Sequence, residues 1–464
     1  FVHPNASKKI YQDLSKDHSA IEPPIWAAML ANHCRTREFS AQILDCEAER
    51  FSTEESAYTI ASINPMVACF VVYGQQPSAS SQNMQGAVDT AKFLKEINSD
   101  IITLFVGGHV SGLPREVLAN HADCIDYICQ NEGVYTISNL LTGLKGAGFD
   151  RSKVKGLGYL EDNVPVLNST EIIVPRKMLS KDLPGMAWDL LPDISKYRTA
   201  GWHSWTNDSE KAPFASLYTS LGCPYRCSFC MINIINRVDN SPGIASANSS
   251  VFRYWEPEFI IKEFDKIAEM GVKNLKLADE LFVLNPRHFL KICDMLIDRD
   301  YGFNIWAYSR IDTCKPKYLE KLKAAGVNWL GLGIENPSTV LRKEIHKDGF
   351  KEVRIFDVLE SIKDAGINPA SNYIFGLPMD TEESMQETFD FAMENLSPMA
   401  NFYCAMAYPG SPLHLTAKRK NWALPSNYSG YSQHSYDTLN LSNDNLTAKQ
   451  ILKFRDYAWD KYHT

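Results

Sequence analysis

The chain has 464 residues, of which 45% are hydrophobic and 22% charged, and its formal net charge is -8. This composition indicates a globular protein of two or three domains, and its acidic balance argues against nucleic acid or an anionic membrane surface as a partner. No apolar run reaches the roughly 18 residues that a transmembrane helix needs. The 11 cysteines are scattered and odd in number, which fits a reducing cytoplasm better than a disulfide scaffold. Because the chain begins at Phe1 rather than at a methionine, we expect that residues precede it, and a signal peptide is left open.

Residues 1–150 alternate short apolar runs with amphipathic stretches. Two of the runs are "MVACFVVYG" from Met66 and "IITLFVGG" from Ile101, and apolar residues at helical spacing mark "MQGAVDTAKFLKEINSD" between them. Alternating strands and helices predict an α/β domain with a doubly wound, Rossmann-like parallel sheet. Ligands of such sheets bind beyond the carboxyl ends of the strands. In this sequence those ends carry the loops "YGQQPS", "GGHVSGLP" and "NEGV".

The rest of the chain divides into three segments. Residues 151–214 have no sustained period and predict a connector. Residues 215–410 repeat an amphipathic helix, a glycine suited to a C-cap and a short strand, which predicts a partial (β/α)6 TIM-type barrel with its active site at the carboxyl ends of the strands. Residues 411–464 predict a small C-terminal segment that caps the barrel and the substrate, although packing alone would also explain them.

Three cysteines, Cys223, Cys227 and Cys230, lie in the loop "LGCPYRCSFC" directly after the first predicted barrel strand. Thiolates at this spacing can bind three irons of one cubane cluster, and one iron stays open because no fourth cysteine lies close by. Zinc also selects thiolates, but a structural zinc site needs a fourth Cys or His nearby. A group of reactive free thiols is the third alternative. The spacing favours the iron–sulfur cluster.

The C-x3-C-x2-C loop, with an aromatic residue just before the third cysteine and a repeating α–β barrel after it, resembles the radical S-adenosylmethionine (SAM) superfamily. The resemblance implies a [4Fe–4S] cluster whose open iron is chelated by SAM, and cleavage of SAM to a 5′-deoxyadenosyl radical that abstracts hydrogen from the substrate. It also implies SAM-binding residues in the loop and at later strand ends. These are Phe229, Asp279, Glu280, Ser309, Arg310, Glu335 and Gly376.

The resemblance gives several of these residues a role. It implies that Asp279 and Glu280 accept hydrogen bonds from the SAM amino group, and Arg310 is suited to a two-pronged contact with the SAM carboxylate. Glu335 stands where the family contacts the ribose or backbone of SAM, and Gly376 lies in the strand beside the adenine. The alternative for each is a polar or glycine residue that simply ends a strand.

A doubly wound domain ahead of such a barrel resembles the cobalamin (B12)-binding subclass, with "GGHVSGLPREVL" and "DYICQNEGVYTISNLL" matching its closing strands. The resemblance implies cobalamin contacts in the loops at the sheet edge. These are Tyr73, Gly74, Gln75, Gln76, Gly107, Gly108, His109, Glu132 and Gly133. Because no D-x-H-x-x-G pattern occurs, it further implies cobalamin bound without a histidine ligand, and His109 is interpreted as a hydrogen-bonding loop residue.

Taken together, the resemblance implies a cobalamin-dependent radical SAM methyltransferase. Its substrate is expected to be a small molecule or natural product, methylated at an unactivated carbon or at phosphorus, and its electron donor a flavodoxin or ferredoxin. The same cofactors would also serve a ring contraction or cyclisation without methyl transfer. Two further alternatives are a methylthiotransferase, which needs extra cluster cysteines in the N-terminal domain, and a non-catalytic iron–sulfur or zinc redox module.

Overall fold

The computed structural model describes residues 1–74, 78–205, 210–238, 251–347 and 354–464. Two of the predicted cobalamin contacts, Gln75 and Gln76, lie outside the described residues. None of the helices in these ranges combines the length and the hydropathy of a membrane-spanning segment.

The N-terminal part of the chain forms a seven-stranded sheet. Its strands are β1 (Val2–His3), β2 (Leu44–Asp45), β3 (Val67–Val71), β4 (Ile102–Val106), β5 (Tyr127–Cys129), β6 (Leu157–Glu161) and β7 (Val164–Leu167). In space they follow the order β2-β1-β3-β4-β5-β6-β7, with the first five parallel. The order reverses between β1 and β3, and ligands of doubly wound sheets bind at such a switch point.

Helices cover both faces of this sheet. They are α1 (Ser7–Tyr11), α2 (Ile25–Arg35), α3 (Thr53–Ile63), α4 (Ala79–Ile97), α5 (Gly108–Gly112), α6 (Pro114–Asn120) and α7 (Val134–Lys145). Because successive residues of a strand point to opposite faces, Phe70 and Phe105 pack in the core with α3 and α4, whereas Val71 and Val106 pack in the core with α2 and α7. The predicted doubly wound architecture is confirmed.

The sheet continues beyond residue 150, into the segment predicted as a connector. Strands β6 and β7 form an antiparallel hairpin, and Asp162 and Asn163 at its tip both have positive φ values of 50° and 63°. Such a two-residue turn with both residues left-handed matches the right-handed twist of the strands, and Asn and Asp tolerate it. After the hairpin the connector is irregular, with one short helix, α8 (Leu179–Asp182).

The second sheet has six parallel strands that lie in the same order as in the chain. These six strands are β8 (Phe214–Leu217), β11 (Asn274–Leu277), β12 (Asn304–Arg310), β13 (Val327–Glu335), β14 (Asn368–Phe375) and β15 (Met399–Cys404). Between β8 and β11 the chain forms a separate antiparallel ribbon of β9 (Ser220–Leu221) and β10 (Arg253–Tyr254). Sequential parallel strands with helical crossovers are the pattern of a partial barrel, so this prediction is also confirmed.

The helices of this second half connect its strands and follow the last one. They are α9 (Pro257–Glu269), α10 (Pro286–Arg299), α11 (Pro316–Ala324), α12 (Thr339–Glu344), α13 (Ile355–Asp364), α14 (Glu382–Glu394), α15 (Pro412–Arg419) and α16 (Ala448–His463). Proline at the first helical position begins α9, α10, α11 and α15, where its missing N–H would be unpaired in any case.

The C-terminal segment has two parts with different neighbours. Helix α16 packs on the outer face of the barrel, where Phe454 contacts Phe375 edge to face at 5.0 Å. Residues 421–447 instead reach the N-terminal domain, and the Tyr428 hydroxyl lies 2.6 Å from His121 Nε2. The predicted capping role therefore concerns residues 421–447 and not the final helix, and it stays a prediction.

Candidate active site

The three clustered cysteines differ from the other eight in their surroundings. Cys223, Cys227 and Cys230 are half-buried, whereas every other cysteine is buried, and none of the eleven forms a disulfide. Burial raises the pKa of Cys230 to about 12 and also raises the pKa values of Cys223 and Cys227. Thiols in such surroundings ionise when a cation binds beside them, which is the chemistry of a metal site.

The spacing of the three sulfurs distinguishes a cluster from a single ion. Zinc with 2.3 Å bonds holds its sulfur ligands about 3.8 Å apart in a tetrahedron. The sulfurs of Cys223, Cys227 and Cys230 do not all lie within 4.8 Å of one another, whereas within the described ranges the ligand atoms of one other group do. The cysteine loop therefore fits an iron–sulfur cluster, whose sulfurs bind different irons, better than zinc.

Gly222 begins this loop, and the fold requires a glycine there. Its φ is +86°, and a Cβ atom at this position would lie 2.1 Å from the Val251 carbonyl oxygen. Backbone oxygen cannot yield to such a contact as a flexible side chain can, so the loop would have to move.

Gly222→Ala is therefore expected to lower the iron content of the reconstituted protein well below that of the unsubstituted chain, because the cysteine loop loses its position. Gly271→Ala is the matched control, since Gly271 has φ +75° but nothing within 4 Å of an added Cβ. Both variants carry the left-handed strain of roughly 1–2 kcal/mol, and only the first adds the clash. Equal iron content in the two variants, measured beside their melting temperatures, would contradict this reading.

Asp279 and Glu280 follow β11, and the structure gives them different surroundings. Asp279 is fully buried and accepts hydrogen bonds from the Thr219 amide (2.8 Å), the Thr219 hydroxyl (2.6 Å) and the Ser220 hydroxyl (2.5 Å). Glu280 is half-buried and accepts one bond from the Gly222 amide at 3.1 Å. Asp279 thus fixes the strand end before the cysteine loop, and Glu280 is the carboxylate beside that loop.

The ionisation of Glu280 reflects this position. Burial, followed by repulsion from Asp279, raises the pKa of Glu280 to about 8, and Glu280 in turn raises the pKa values of Cys223 and Cys230. A carboxyl with a pKa raised by burial ionises readily once a cation lies next to it. The position therefore suits an ammonium group that would bind close to the cysteines.

Ser309 and Arg310 end β12, and only Arg310 reaches the cysteine loop. Its guanidinium binds Asp312 through Nε (2.9 Å) and Nη2 (3.2 Å), stacks over the Tyr225 ring at 3.7 Å, and has Nη1 4.0 Å from Cys227 Sγ. Ser309 is buried, with its hydroxyl 3.0 Å from the Arg310 carbonyl oxygen. Arg310 is thus held rigidly beside the sulfurs as a permanent cation.

Glu335 ends β13 at an irregular point of the sheet. The pairing with β14 shifts between Gly333 and Glu335, and Glu335 itself has a φ of +65°. Such bulges and left-handed residues redirect side chains near functional sites. The Glu335 carboxylate forms a buried ion pair with Lys347, and Lys347 acts to lower the pKa values of Cys227 and Cys230.

The other two predicted SAM contacts, Phe229 and Gly376, both have apolar surroundings. Phe229 packs partly against the small apolar cluster around Leu413, and the loop is fixed there because the Leu413 amide donates to the Ser228 carbonyl at 2.8 Å. Gly376 follows β14, and an added Cβ would lie 2.6 Å from Ile451 of α16. Close packing against that helix explains the glycine without a ligand.

The predicted cobalamin edge lies at the carboxyl ends of β3, β4 and β5. The Tyr73 ring stacks on Trp26 with centroids 4.4 Å apart, and its hydroxyl donates to the Asn131 carbonyl at 3.1 Å. Gly74 follows with a φ of +75°. His109 Nδ1 lies 2.9 Å from the Ser81 hydroxyl, and burial lowers the pKa of His109 to about 3. The neutral ring is hydrogen-bonded within its loop.

Glu132 and Gly133 have structural partners in this domain and the connector. The Glu132 carboxylate accepts from the Val174 amide and pairs with Arg253 at 2.8 Å, where both side chains are only 2% exposed. Gly133, with φ +76°, leaves no room for a Cβ beside Val106. Glu132 therefore connects the N-terminal domain to the ribbon β9–β10. Both of its carboxylate oxygens accept hydrogen bonds, Oε1 from the Val174 amide and Oε2 from Arg253.

Gly107 packs within the N-terminal domain, whereas Gly108 reaches the second half of the protein. An added Cβ on Gly107 would lie 2.3 Å from the Val72 carbonyl, so this loop packs tightly on the neighbouring strand end. An added Cβ on Gly108 would lie 3.0 Å from the methyl group of Met231, the residue after Cys230. The edge of the N-terminal sheet and the cysteine loop are therefore in direct contact.

Besides Glu132–Arg253, two further buried ion pairs were not anticipated from the sequence. Lys347, paired with Glu335, stands in "EIHKDG", where no motif marks it. Lys276 of β11 pairs with Glu22 at 3.0 and 3.1 Å, although 254 residues separate them. The sequence signal for Glu22 was available: it is the single charge in "IEPPIWAAML", and a lone carboxylate within an apolar stretch needs a partner when buried.

Comparison with protein-family models identifies both halves of the chain. The model of the radical SAM superfamily matches residues 217–392. The model of the B12 binding domain matches residues 18–141. The first match spans the cysteine loop and the barrel strands β11 to β14, and the second spans strands β2 to β5 of the doubly wound sheet.

Curated relatives align along nearly the whole chain. A protein of Pyrococcus horikoshii, named as an uncharacterised methyltransferase, is 26% identical over 447 residues, which is 95% of this chain and 88% of the relative. The anaerobic magnesium-protoporphyrin IX monomethyl ester cyclase of Rubrivivax gelatinosus is 25% identical over 426 residues, 89% of this chain and 68% of the relative.

A solved structure has the same fold. TsrM from Kitasatospora setae, a radical SAM methyltransferase determined with cobalamin and a [4Fe-4S] cluster bound, superimposes with a TM-score of 0.68 at 15% identity, covering 95% of this chain and 89% of that one. At this identity the likeness supports the fold alone. The two domain matches place the chain among the cobalamin-dependent radical SAM enzymes, as predicted from the cysteine loop together with the doubly wound domain that precedes it.

Proposed function

We propose that the enzyme is a methyltransferase that transfers a methyl group to an unactivated carbon of a small-molecule substrate. The observation that carries this proposal is the contact of Gly108 with Met231, because it places the B12-binding edge directly against the loop of the three cysteines. When bound, the cluster and SAM supply a radical that removes a hydrogen atom from the substrate, and cobalamin supplies the methyl group. The protein itself positions these groups and excludes water.

The residues around the cysteine loop support a specific placement of SAM. Glu280 lies beside Cys223 and Cys230 and would accept hydrogen bonds from the amino group, while Arg310 lies beside Cys227 and would bind the carboxylate. Asp279 would then act only by holding Thr219 in place. The Glu335–Lys347 pair would border the same space from β13.

The alternating burial of residues on β12 and β15 supports a substrate-binding space inside the barrel. Trp306 and Tyr308 on β12, and Asn401 and Tyr403 on β15, are half-buried, whereas the residues between them are buried. Burial nevertheless raises the pKa values of Tyr308 and Tyr403. Tyr308 and Tyr403 are thus partly accessible and yet poorly solvated, as side chains that line an enclosed space would be. Aromatic rings with amide groups suit a substrate that has a flat apolar surface and hydrogen-bonding substituents.

A second candidate function is a cyclisation without methyl transfer. It is favoured by the alignment with the Rubrivivax cyclase over 89% of this chain. The cofactors and the residues near the cysteines would serve both reactions equally, so the fate of the methyl group distinguishes them.

We expect turnover with methyl-labelled SAM to place the label in the product. The reconstituted and reduced enzyme, supplied with cobalamin and candidate ring-containing substrates, should form 5′-deoxyadenosine together with a labelled product, measured by mass spectrometry. Formation of 5′-deoxyadenosine with an unlabelled, cyclised product would replace the methyltransferase proposal by the second candidate.

The electron donor and the cellular compartment belong to the same proposal. Reduction of the cluster needs one electron from a carrier such as flavodoxin or ferredoxin, and all eleven cysteines are free thiols, which supports a reducing cytoplasm. The acidic net charge of -8 supports a small-molecule substrate over nucleic acid.

A further inference from the structure

A second set of metal-ligand side chains lies in the N-terminal domain, between α6 and β5. Ligand atoms of His121, Asp123 and Cys124 lie within 4.8 Å of one another. The Asp123 side chain is 61% exposed and Cys124 is 1% exposed, so an ion would reach the thiol from the carboxylate side. We propose that these three residues bind one zinc ion, separate from the cysteine loop.

The surroundings of the His121 ring support this site. Nε2 lies 2.6 Å from the Tyr428 hydroxyl, whereas Nδ1 is buried and has no hydrogen-bond partner in the described ranges. A buried polar atom without a partner is unfavourable and rare. Metal-bound histidines typically use one ring nitrogen for the metal and the other for a hydrogen bond that fixes the ring. When Nε2–H donates to Tyr428, Nδ1 offers its lone pair to an ion.

The donor set selects the metal. Nitrogen, carboxylate oxygen and thiolate sulfur are the three ligand types that zinc accepts together, and sulfur disfavours magnesium and calcium. Lys92 contacts Oδ2 of Asp123 at 3.3 Å, so one carboxylate oxygen remains for the ion. Three protein ligands leave the fourth tetrahedral position for water.

The position of the site indicates what the ion would do. Tyr428 belongs to residues 421–447, which join the barrel to the N-terminal domain, and its ring meets the His109 ring edge to face at 5.2 Å. His109 lies in the loop of predicted cobalamin contacts. A zinc ion that orients His121 would thus also hold Tyr428 and, through it, fix the C-terminal segment against this loop.

Zinc X-ray absorption on the holoenzyme tests the proposal, because it is specific for zinc in the presence of iron and cobalt. The full chain, reconstituted with iron, sulfide and cobalamin, is incubated with zinc and desalted. We expect about one zinc per chain, with one sulfur near 2.3 Å and lighter ligands at roughly 2.0 Å. Cys124→Ser should lose the sulfur ligand, and Asp123→Asn should weaken zinc affinity by about tenfold or more.

Cys46→Ser is the matched control, since Cys46 is equally buried in the same domain and should leave zinc binding unchanged. Asp123→Asn keeps the test decisive if Cys124→Ser does not fold, because Asp123 lies at the surface. Absence of retained zinc, or zinc bound with the same affinity and ligands in Asp123→Asn, overturns the proposal.

Discussion

Cys227→Ala is expected to abolish SAM cleavage and to leave cobalamin binding intact. Cys227 lies between its two neighbouring cysteines in the loop, and its sulfur is 4.0 Å from Arg310 Nη1. With one thiolate lost, the cluster lacks a ligand, and the site loses both its route for the electron and its anchor for SAM. Formation of 5′-deoxyadenosine should fall by more than about a thousandfold, equivalent to over roughly 4 kcal/mol.

The B12-binding edge should be unaffected, since it contacts the cysteine loop through Met231 and not through Cys227. Cobalamin retained after desalting, measured by absorption, therefore serves as an internal test that the variant is folded. Cys293→Ala is the matched control: Cys293 is fully buried on α10 and should keep both iron and SAM cleavage. Persistent cleavage in Cys227→Ala would show that the cysteine triplet is not the cluster site.

Local sequence patterns predicted most of the fold because each unit of the barrel repeats an amphipathic helix, a glycine and a short strand. Of the four glycines whose spacing predicts a C-cap, Gly271, Gly326 and Gly366 follow the ends of α9, α11 and α13 with positive φ values. The prediction is wrong for Gly302, because α10 ends on Asp300, which itself takes the left-handed conformation with a φ of 48°. The hairpin β6–β7 was missed because its strands are short and its pairing with β5 is a tertiary contact. Nothing in the period of "LGYLEDNVPVL" shows that a parallel sheet lies next to it.

The site was predicted less completely, for reasons that particular residues show. Asp279 and Glu280 are adjacent and chemically alike, and only the structure shows that Asp279 already accepts three hydrogen bonds from Thr219 and Ser220. Glu132 stands in a glycine loop at a strand end, yet it pairs with Arg253, which is 121 residues away. Strand ends identify which residues reach an edge, but hydrogen-bond partners distant in sequence decide which of them remain available.

Lys276→Met is expected to destabilise the protein by about 3–5 kcal/mol at pH 8, because it removes the cation that pairs with the buried Glu22 carboxylate. Lys276 and Glu22 are 3% and 7% exposed, and the Lys276 ammonium also lies over the Trp306 ring at 4.9 Å from its centroid. This pair lies in the barrel interior, where the proposed substrate space begins. The measurement is unfolding by urea under anaerobic conditions, followed by the fluorescence of the barrel tryptophans, which include Trp306.

The loss should depend on pH. Burial raises the pKa of Glu22, and Lys276 is the main influence that lowers it, so Lys276→Met raises the folded-state pKa further. For a carboxyl whose pKa is higher in the folded than in the unfolded state, folding favours the protonated form, and stability falls as pH rises from the unfolded to the folded pKa. The penalty of Lys276→Met should thus be smaller at pH 5.5 than at pH 8.

The double variant Glu22→Gln with Lys276→Met separates the charge from the packing. It removes both charges and keeps side chains of similar size, so it should recover most of the stability that Lys276→Met loses. Glu22 comes from the N-terminal domain and Lys276 from the barrel, so the coupling measured in this cycle reports how strongly the two domains hold each other around the substrate space. Additive effects of the two single substitutions, or a penalty independent of pH, would show that the pair does not act as a buried ion pair.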